Sequence, residues 1–268
     1  MAYDFSLAYL TVFDLPPNEA AQVAADCGYA YLGMRMLPSG SEGAYPIMTD
    51  DKLLRETKAV LDDTGVELAD IEIIRLNDRF NAQDTKAFLE RGAFLGAKNV
   101  LVAGDDPEEQ RLTENFAAFC EIANQYSMTA DLEFMPWTKV PDIHAANRIV
   151  QAANQPNGGV LIDALHYHRA DTRPSDVLSV EPERIHYVQF CDAPAKFDPS
   201  TEQLIYIARE ARLPPGEGEI DLKALLNAIP DDIVLSIEVP NFAWAKTTPP
   251  AQRALSVLEG MKKLIAEA

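Results

Sequence analysis

The sequence predicts an α/β fold, a single (β/α)8 TIM barrel in which parallel strands alternate with outer helices. Short, apolar, β-branched runs alternate with longer segments of helical periodicity. The chain has 268 residues, close to the ~250 residues of compact barrels. An open doubly wound sheet is the alternative, but no G-x-G-x-x-G sequence follows the first predicted strand to support it.

The elements follow one another in a regular order. The predicted strands are residues 5–10, 30–36, 67–76, 99–104, 128–136, 159–165, 185–193 and 232–240. The predicted helices lie in residues 16–28, 49–65, 84–97, 113–126, 141–154, 200–212 and 249–268. The helix in 49–65 has Thr49 as its predicted N-cap and Gly65 at its end, which matches the preferences of helix termini.

The chain reads as one domain over residues 1–268, because it contains no linker, low-complexity tract or repeat. No apolar run approaches the ~20 residues of a membrane span, and the N-terminus lacks the basic region of a signal peptide. Cys27, Cys120 and Cys191 form no CxxC motif. An odd number of separated cysteines predicts reduced thiols and a cytoplasmic protein.

The charge is strongly one-sided, with 42 acidic residues, 23 Lys and Arg, and a net charge of −19. Such a chain repels phosphate backbones, so we expect no nucleic-acid partner. The same field favours cation capture wherever carboxylates converge in a site.

Polar residues stand near the carboxyl ends of four successive predicted strands, where barrels carry their active sites. They are Glu133, Asp163, Gln189 and Glu238. Three buried carboxylates would repel one another, and a divalent cation is the simplest solution. The oxygen-only donor set suits one Mg²⁺ or Mn²⁺, with Co²⁺ tolerated. The alternatives are a lysine partner for Glu133, a helix-capping role for Asp163 and a core amide role for Gln189.

Basic residues are predicted around the same mouth. Arg35 and Arg75 end strands 2 and 3, and Arg209 and Arg212 precede a Pro-Gly-Glu-Gly loop. Because guanidinium groups bind carboxylate and phosphate in bidentate fashion, we expect an anionic or polyhydroxylated small substrate. Lys196 is a further candidate contact. Alternatively, Arg209 and Arg212 pair with nearby glutamates on a helix face.

These residues resemble those of the xylose-isomerase-like TIM barrels. The resemblance rests on the four strand-end positions, on the D-x-x-H formed by Asp163 and His166, and on R-L-P-P-G-E-G-E-I-D at 212–221. It extends over nearly the whole chain. It implies one divalent metal at the four positions and a substrate contact for His166. His168, close to the mouth, is a weaker candidate for substrate binding.

The resemblance implies three activities. The first is a sugar or sugar-phosphate isomerase or epimerase, in which Glu133 and Glu238 exchange a proton with the substrate. The second is a 3-dehydroshikimate dehydratase-like lyase with His166 as acid or base. Ketose 3-epimerases have His where this chain has Gln189, and the dehydratase-like branch is more similar there. The third, remote alternative is an endonuclease IV-like repair enzyme. It would need more metal ligands than four histidines supply. Barrels of this kind are often dimers or tetramers, so a homo-oligomer stays open.

Overall fold

Eight parallel strands form a closed barrel in which each strand pairs with the next and β8 pairs with β1. The computed structural model describes residues 3–40 and 42–267. The strands are β1 (Phe5–Leu7), β2 (Tyr31–Arg35), β3 (Glu67–Leu76), β4 (Asn99–Gly104), β5 (Ala130–Glu133), β6 (Gly158–Asp163), β7 (Tyr187–Phe190) and β8 (Val234–Ile237). All eight predicted strands are therefore confirmed, most of them shorter than expected, and the closed barrel replaces the open-sheet alternative.

Helices cover the outside of the barrel and the loops above it. They are α1 (Pro17–Cys27), α2 (Asp51–Thr64), α3 (Lys86–Leu95), α4 (Glu109–Asn124), α5 (Ile143–Ala153), α6 (Ala164–Arg169), α7 (Pro174–Val177), α8 (Thr201–Glu210), α9 (Leu222–Leu226), α10 (Phe242–Ala245) and α11 (Pro250–Ala266). The helix predicted over 249–268 is α11, and residue 268 lies outside the described residues. The short helices α6, α7, α9 and α10 escape the periodicity analysis because they span few turns.

Helix ends largely follow the local sequence. Gly65 ends α2 in the left-handed conformation at φ 76°, which glycine adopts without a steric penalty. The prediction of Thr49 as the N-cap of α2 is wrong. Asp50 holds that position, and its carboxylate accepts from the backbone N–H groups of Lys52 and Leu53.

Strand alternation separates two apolar layers. The larger one lies between barrel and helices and includes Leu132, Val188 and Leu235. A smaller apolar cluster lies inside the barrel, formed by Ile73, Leu101, Ala103, Met135, Leu161 and Tyr187. Because side chains alternate along a strand, the residues between the outward-facing ones point to the barrel axis. Glu133 and Gln189 are among these inward residues, at the carboxyl end.

Two further observations bear on the sequence expectations. Within residues 3–40 and 42–267, no helix combines the length and the apolar character that crossing a membrane demands. The three cysteines are free thiols; Cys120 and Cys191 are buried, and Cys27 is partly exposed.

Candidate metal and proton-transfer site

Four neighbouring strands bring the predicted ligand residues to one end of the barrel. Glu133 and Asp163 are the last residues of β5 and β6, Gln189 lies in β7, and Glu238 directly follows β8. All four side chains are buried, the most exposed being Glu133 at 4%. Each stands where its strand reaches the barrel mouth, as the fold requires of active-site residues.

Arg212 connects two of these carboxylates. Its Nη1 donates to Asp163 Oδ2 at 2.5 Å, and its Nη2 lies 3.0 Å from Glu238 Oε2. The side chain is only 3% exposed. Gln189 Nε2 donates to Glu238 Oε1 at 3.4 Å, while Gln189 Oε1 is buried without a hydrogen-bond partner among the described residues. The Arg212 guanidinium therefore pairs with two carboxylates, and the Gln189 amide oxygen can accept a further ligand.

The position of Arg212 follows from the Pro-Gly-Glu-Gly loop. Backbone hydrogen bonds join Asp192 to Leu213 in both directions, and Arg212 N donates to Pro240 O. The Asp192 carboxylate accepts from the N–H groups of Ala193, Gly216 and Ile220. A Cβ on Gly218 would lie 2.3 Å from Asp192 Oδ1, so only glycine allows this approach. Asp192 thus organises the loop.

His166 completes a second group of polar side chains. Its Nε2 lies 3.5 Å from Glu133 Oε1. One ligand atom each of Glu133, Asp163 and His166 lie within 4.8 Å of one another, close enough to hold a metal ion together. The ring of Trp137 meets the His166 ring edge-on at 5.0 Å between centroids. Trp137 therefore restricts the orientation of the imidazole.

Asp163 has a double role, because the structure also confirms its capping alternative. It is the N-cap of α6, and its Oδ1 accepts from the backbone N–H groups of Leu165 and His166. The D-x-x-H spacing thus places His166 in the first turn of a helix that Asp163 itself begins. The lysine partner considered for Glu133 is wrong, since within the described part of the chain the basic side chain within 4.0 Å of its carboxylate is His166.

Burial and charge separate the pKa values in the site. Burial, with Asp163 and Glu238 nearby, raises the pKa of Glu133 well above its usual range. Burial also raises the pKa of Glu238, to about 7, against the opposing effect of Arg212. Burial would raise the pKa of Asp163 too, but Arg212 outweighs it and lowers that pKa. Burial lowers the pKa of His166 to about 4. His166 is therefore neutral at pH 7, whereas the Glu238 carboxyl can gain or lose a proton near neutrality.

These side chains line a small cavity of about 40 Å³ at the mouth. Its walls are formed by Leu10, Arg35, Ser39, Ile73, Leu101, Glu133, Met135, Trp137, His166, Ala208, Arg209, Arg212 and Glu238. A wider cleft of about 420 Å³ shares Leu10, Arg35 and Arg209 with it and extends toward Tyr45 and Phe242. The wider cleft therefore adjoins the small cavity at the barrel mouth.

The four arginines differ in what they bind. Arg35 donates through Nε and Nη2 to the buried Glu72, at 2.9 and 2.6 Å. Arg75 forms a bidentate pair with Asp105 at 2.6 and 2.7 Å. Arg212 is engaged as described, rather than with the helix-face glutamates. Arg35, Arg75 and Arg212 are therefore paired with carboxylates of the protein, whereas the sequence suggested that they face a substrate.

Arg209 is the exception. Among the described residues it has no carboxylate within 4.0 Å, and its one hydrogen bond runs from Nη2 to Ser39 Oγ at 3.4 Å. Burial, together with the neighbouring Arg75 and Arg35, lowers its pKa. Arg209 is half-buried and lines the cavity, so it is the cation best placed to meet a substrate.

Two predicted contacts lie away from the cavity. His168 Nδ1 accepts from Arg169 Nη1 at 2.8 Å, and its ring packs against Phe197, with 6.0 Å between ring centroids. Lys196 is exposed on the loop after β7. Neither residue belongs to the cavity walls. For His168 the reason is that α6 turns its side chain to the side opposite His166.

Sequence reasoning missed two acids, Asp70 and Glu72, in the interior of β3. Both are completely buried. The signal was present in the predicted strand E-L-A-D-I-E-I-I-R-L, in which two acids alternate within an apolar run. Glu72 holds Arg35 at the cavity wall, whereas Asp70 lies deeper.

Comparison with known proteins identifies a family and several relatives that this chain resembles. A family model described as xylose isomerase-like TIM barrel matches residues 21–264. Inosose isomerase of Bacillus licheniformis is 26% identical over 170 residues, which are 59% of each chain. The 3-dehydroshikimate dehydratase of Pseudomonas putida is 26% identical over 141 residues, 50% of this chain and 22% of that enzyme. The matches thus span about three fifths of the first relative and a smaller part of the second.

The fold is shared even more completely. The crystal structure of the IolI protein with a bound zinc atom superposes with a TM-score of 0.84, at 18% identity and over 98% of both chains. Since the family model covers nearly all of this sequence and the barrel closes as the family requires, the chain belongs to the xylose isomerase-like TIM barrel family.

Proposed function

We propose that this protein is a divalent-metal-dependent isomerase or epimerase of sugars or sugar phosphates. The observation that carries the proposal is the placement of Glu133 and Glu238, two buried carboxyls with raised pKa values, in the walls of one cavity beside the neutral His166. The relatives support the same broad class, since they are named as isomerases and a dehydratase.

The residues present fit a divalent cation. Glu133, Asp163 and Glu238 carry three potential negative charges, and Arg212 supplies one positive charge. Gln189 Oε1 is a buried acceptor with no hydrogen bond among the described residues, and such an atom is costly unless something binds it. Mostly oxygen donors favour Mg²⁺ or Mn²⁺ and tolerate Co²⁺, while the nearness of His166 also suits Zn²⁺.

A bound divalent ion would polarise a substrate carbonyl and acidify the neighbouring C–H group. The protein supplies the proton acceptor and donor. In the proposed reaction Glu133 or Glu238 removes the proton on the carbon next to the carbonyl, and the other carboxyl returns one. Return to the opposite face inverts that centre and gives an epimer. Return to the former carbonyl carbon, with the neighbouring hydroxyl proton passing to the former carbonyl oxygen, gives an isomer. Arg212 holds Glu238 and Asp163 in place, and Trp137 fixes His166.

Arg209 indicates the substrate's chemistry. A half-buried guanidinium with no carboxylate partner in the described chain offers donors to a phosphate, a carboxylate or several hydroxyls. We therefore propose an anionic or polyhydroxylated small substrate. We also propose that residues 1–268 act as one domain on small molecules rather than nucleic acids, given the net charge of −19. A reducing cytoplasm suits the three free thiols.

A dehydratase is the second candidate, and Gln189 favours it. The chain has Gln where ketose 3-epimerases have His, and it resembles 3-dehydroshikimate dehydratases at this strand. In that reaction His166, neutral at pH 7, would accept the α-proton and, once protonated, give it to the departing β-hydroxyl. Water then leaves, and a conjugated product forms.

Two assays distinguish these candidates. Mn²⁺-loaded protein is incubated with ketoses and ketose phosphates in D₂O, and deuterium incorporation is followed by NMR. In parallel, 3-dehydroshikimate is supplied and ultraviolet absorbance reports an aromatic product. We expect exchange in the first assay. Glu133→Gln and Glu238→Gln should each lower it by about 10²–10⁴-fold, whereas the exposed Glu56→Gln should not. Absorbance growth without exchange would instead support the dehydratase.

A further inference from the structure

The interior of this barrel is unusually polar below the candidate site. TIM barrel interiors are dominated by branched apolar side chains. Here the inward positions of β1, β3, β7 and β8 include Ser6, Asp70, Tyr187 and Ser236, all 0% exposed. Their strand neighbours Leu7, Ile71, Val188 and Leu235 belong to the outer core, so strand alternation turns these four toward the barrel axis.

The fold brings these side chains toward one another. Ser6 and Ser236 are register partners in adjacent strands and share the inward face. In such barrels alternate strands contribute to one layer of side chains, and the inward residues of β1, β3, β5 and β7 include Ser6, Asp70, Asp131 and Tyr187. Asp70 faces Gly33 of β2, where a Cβ would lie 2.9 Å from Asp70 Oδ1. Gly33 therefore leaves this space to the carboxylate.

Apart from those of Asp131, none of these polar side-chain atoms has a hydrogen-bond partner among the described residues. The unpartnered atoms are Ser6 Oγ, both carboxylate oxygens of Asp70, Tyr187 OH and Ser236 Oγ. A buried oxygen without a partner destabilises the fold, and a buried charged group without one destabilises it more. Five such atoms in neighbouring interior positions indicate that the group is built to hold something.

The charges of the interior point to what is held. Arg35 neutralises Glu72, and His186 pairs with Asp131 at 2.5 Å. The proposed divalent ion and Arg212 together match Glu133, Asp163 and Glu238. Among the residues that the structure describes, Asp70 is the inward carboxylate left without a cation, since Arg35 is already occupied by Glu72. Burial raises the pKa of Asp70 well above its usual range, which reflects this missing compensation.

We propose that Asp70, with Ser6, Tyr187 and Ser236, binds one monovalent alkali cation inside the barrel. One carboxylate and three hydroxyls form a hard, oxygen-only donor set. Its single negative charge matches a single positive charge, so Na⁺ or K⁺ fits better than a second divalent ion. The cation would compensate the buried carboxylate and occupy the hydroxyl oxygens at once, which a proton on Asp70 would not do.

Thermal unfolding of the full chain tests this site. The protein is kept in saturating MnCl₂, and its Tm is measured in 150 mM NaCl, KCl or choline chloride at equal ionic strength. A cation at about 100-fold its Kd should raise the Tm by about 5 °C relative to choline. Asp70→Asn should lose this dependence, and Tyr187→Phe should weaken it. Asp231→Asn, at an exposed aspartate, should retain it.

Diffraction provides a test that does not depend on a variant that folds. Crystals of the unaltered protein soaked in thallium(I) acetate should show an anomalous peak between Asp70 and Ser236. Equal Tm values in the three salts, an undiminished salt effect in Asp70→Asn, or thallium bound only elsewhere would each overturn the proposal in favour of water or a proton. Glu133→Gln should leave the monovalent effect intact, which separates this site from the proposed divalent centre.

Discussion

The Arg212 guanidinium donates to the Asp163 carboxylate across 2.5 Å, and both side chains are almost completely buried. Asp163 is also the N-cap of α6, and Arg212 reaches Glu238 with its other terminal nitrogen. This contact therefore joins the end of β6 to the loop after β7 and the end of β8. The Arg212 guanidinium therefore binds two carboxylates, Asp163 and Glu238, that the proposed metal ion would also bind.

Replacing Arg212 should reveal that sharing. In EDTA, Arg212→Met should lower the free energy of unfolding by about 3–5 kcal/mol, because it leaves buried carboxylates without compensation. Saturating Mn²⁺ should restore much of this loss. Urea denaturation with and without metal measures both effects. Arg148→Met is the matched control: its ion pair with Glu109 is exposed, and its loss should cost less than about 1 kcal/mol in either buffer. Equal costs for the two variants would contradict this view of Arg212.

Gln189 should affect metal affinity more than stability. Gln189→Leu removes an amide oxygen that is buried without a partner among residues 3–40 and 42–267. The variant also loses the 3.4 Å hydrogen bond from Gln189 Nε2 to Glu238 Oε1, so the stability of the metal-free protein should change by less than about 1 kcal/mol. The Kd for Mn²⁺ should rise about tenfold. Urea denaturation and isothermal titration calorimetry give the two values. A variant that is destabilised yet binds Mn²⁺ normally would mean that Gln189 is a core amide and no ligand.

Arg209 should determine substrate affinity, since it lacks a carboxylate partner in the described structure. With the substrate found in the exchange assay, Arg209→Ala should raise KM about tenfold or more, the effect of losing one hydrogen bond to a charged group. Its kcat should change less. Arg75→Ala provides the comparison, because Arg75 is already held by Asp105. If Arg75→Ala raises KM more than Arg209→Ala, then Arg75 and not Arg209 binds the anionic group of the substrate.

The opposite end of the barrel should give the protein a pH-dependent stability. Burial would lower the pKa of His186, but Asp131 at 2.5 Å outweighs burial and raises it. The pair therefore contributes fully below the unfolded-state value of about 6.5 and loses its contribution as pH rises through the folded-state value. The stability difference between the native protein and His186→Asn should shrink from pH 6 to pH 8.5 in urea titrations. A stability difference that grows with pH would contradict the predicted upward shift of the His186 pKa.

The sequence predicts the barrel well because strand and helix periods are local properties. Placing Glu133, Asp163, Gln189 and Glu238 at one end then follows from strand direction alone. The pairing of Arg212 with Asp163 does not follow, because it depends on the conformation of a loop more than twenty residues after Gln189. Its backbone hydrogen bonds to Asp192 and Pro240 cannot be read from residue spacing.

The same limit applies to the remaining site residues. Arg35 and Arg75 were expected to be free for substrate, but each meets a carboxylate from a neighbouring strand or loop. His168 and His166 are two residues apart, and a helix separates their directions by about 200°. Sequence alone could not establish that α6 begins immediately after β6, and therefore could not decide which histidine faces the cavity.

Anomalous diffraction from a Mn²⁺-loaded crystal tests the central claim most directly. The account predicts one strong manganese peak at the mouth of the barrel, within bonding distance of Glu133 and Asp163 and bounded by Gln189 and Glu238. A crystal that takes up manganese only at surface acids, with Arg212 still holding Asp163 and Glu238 alone, would contradict it.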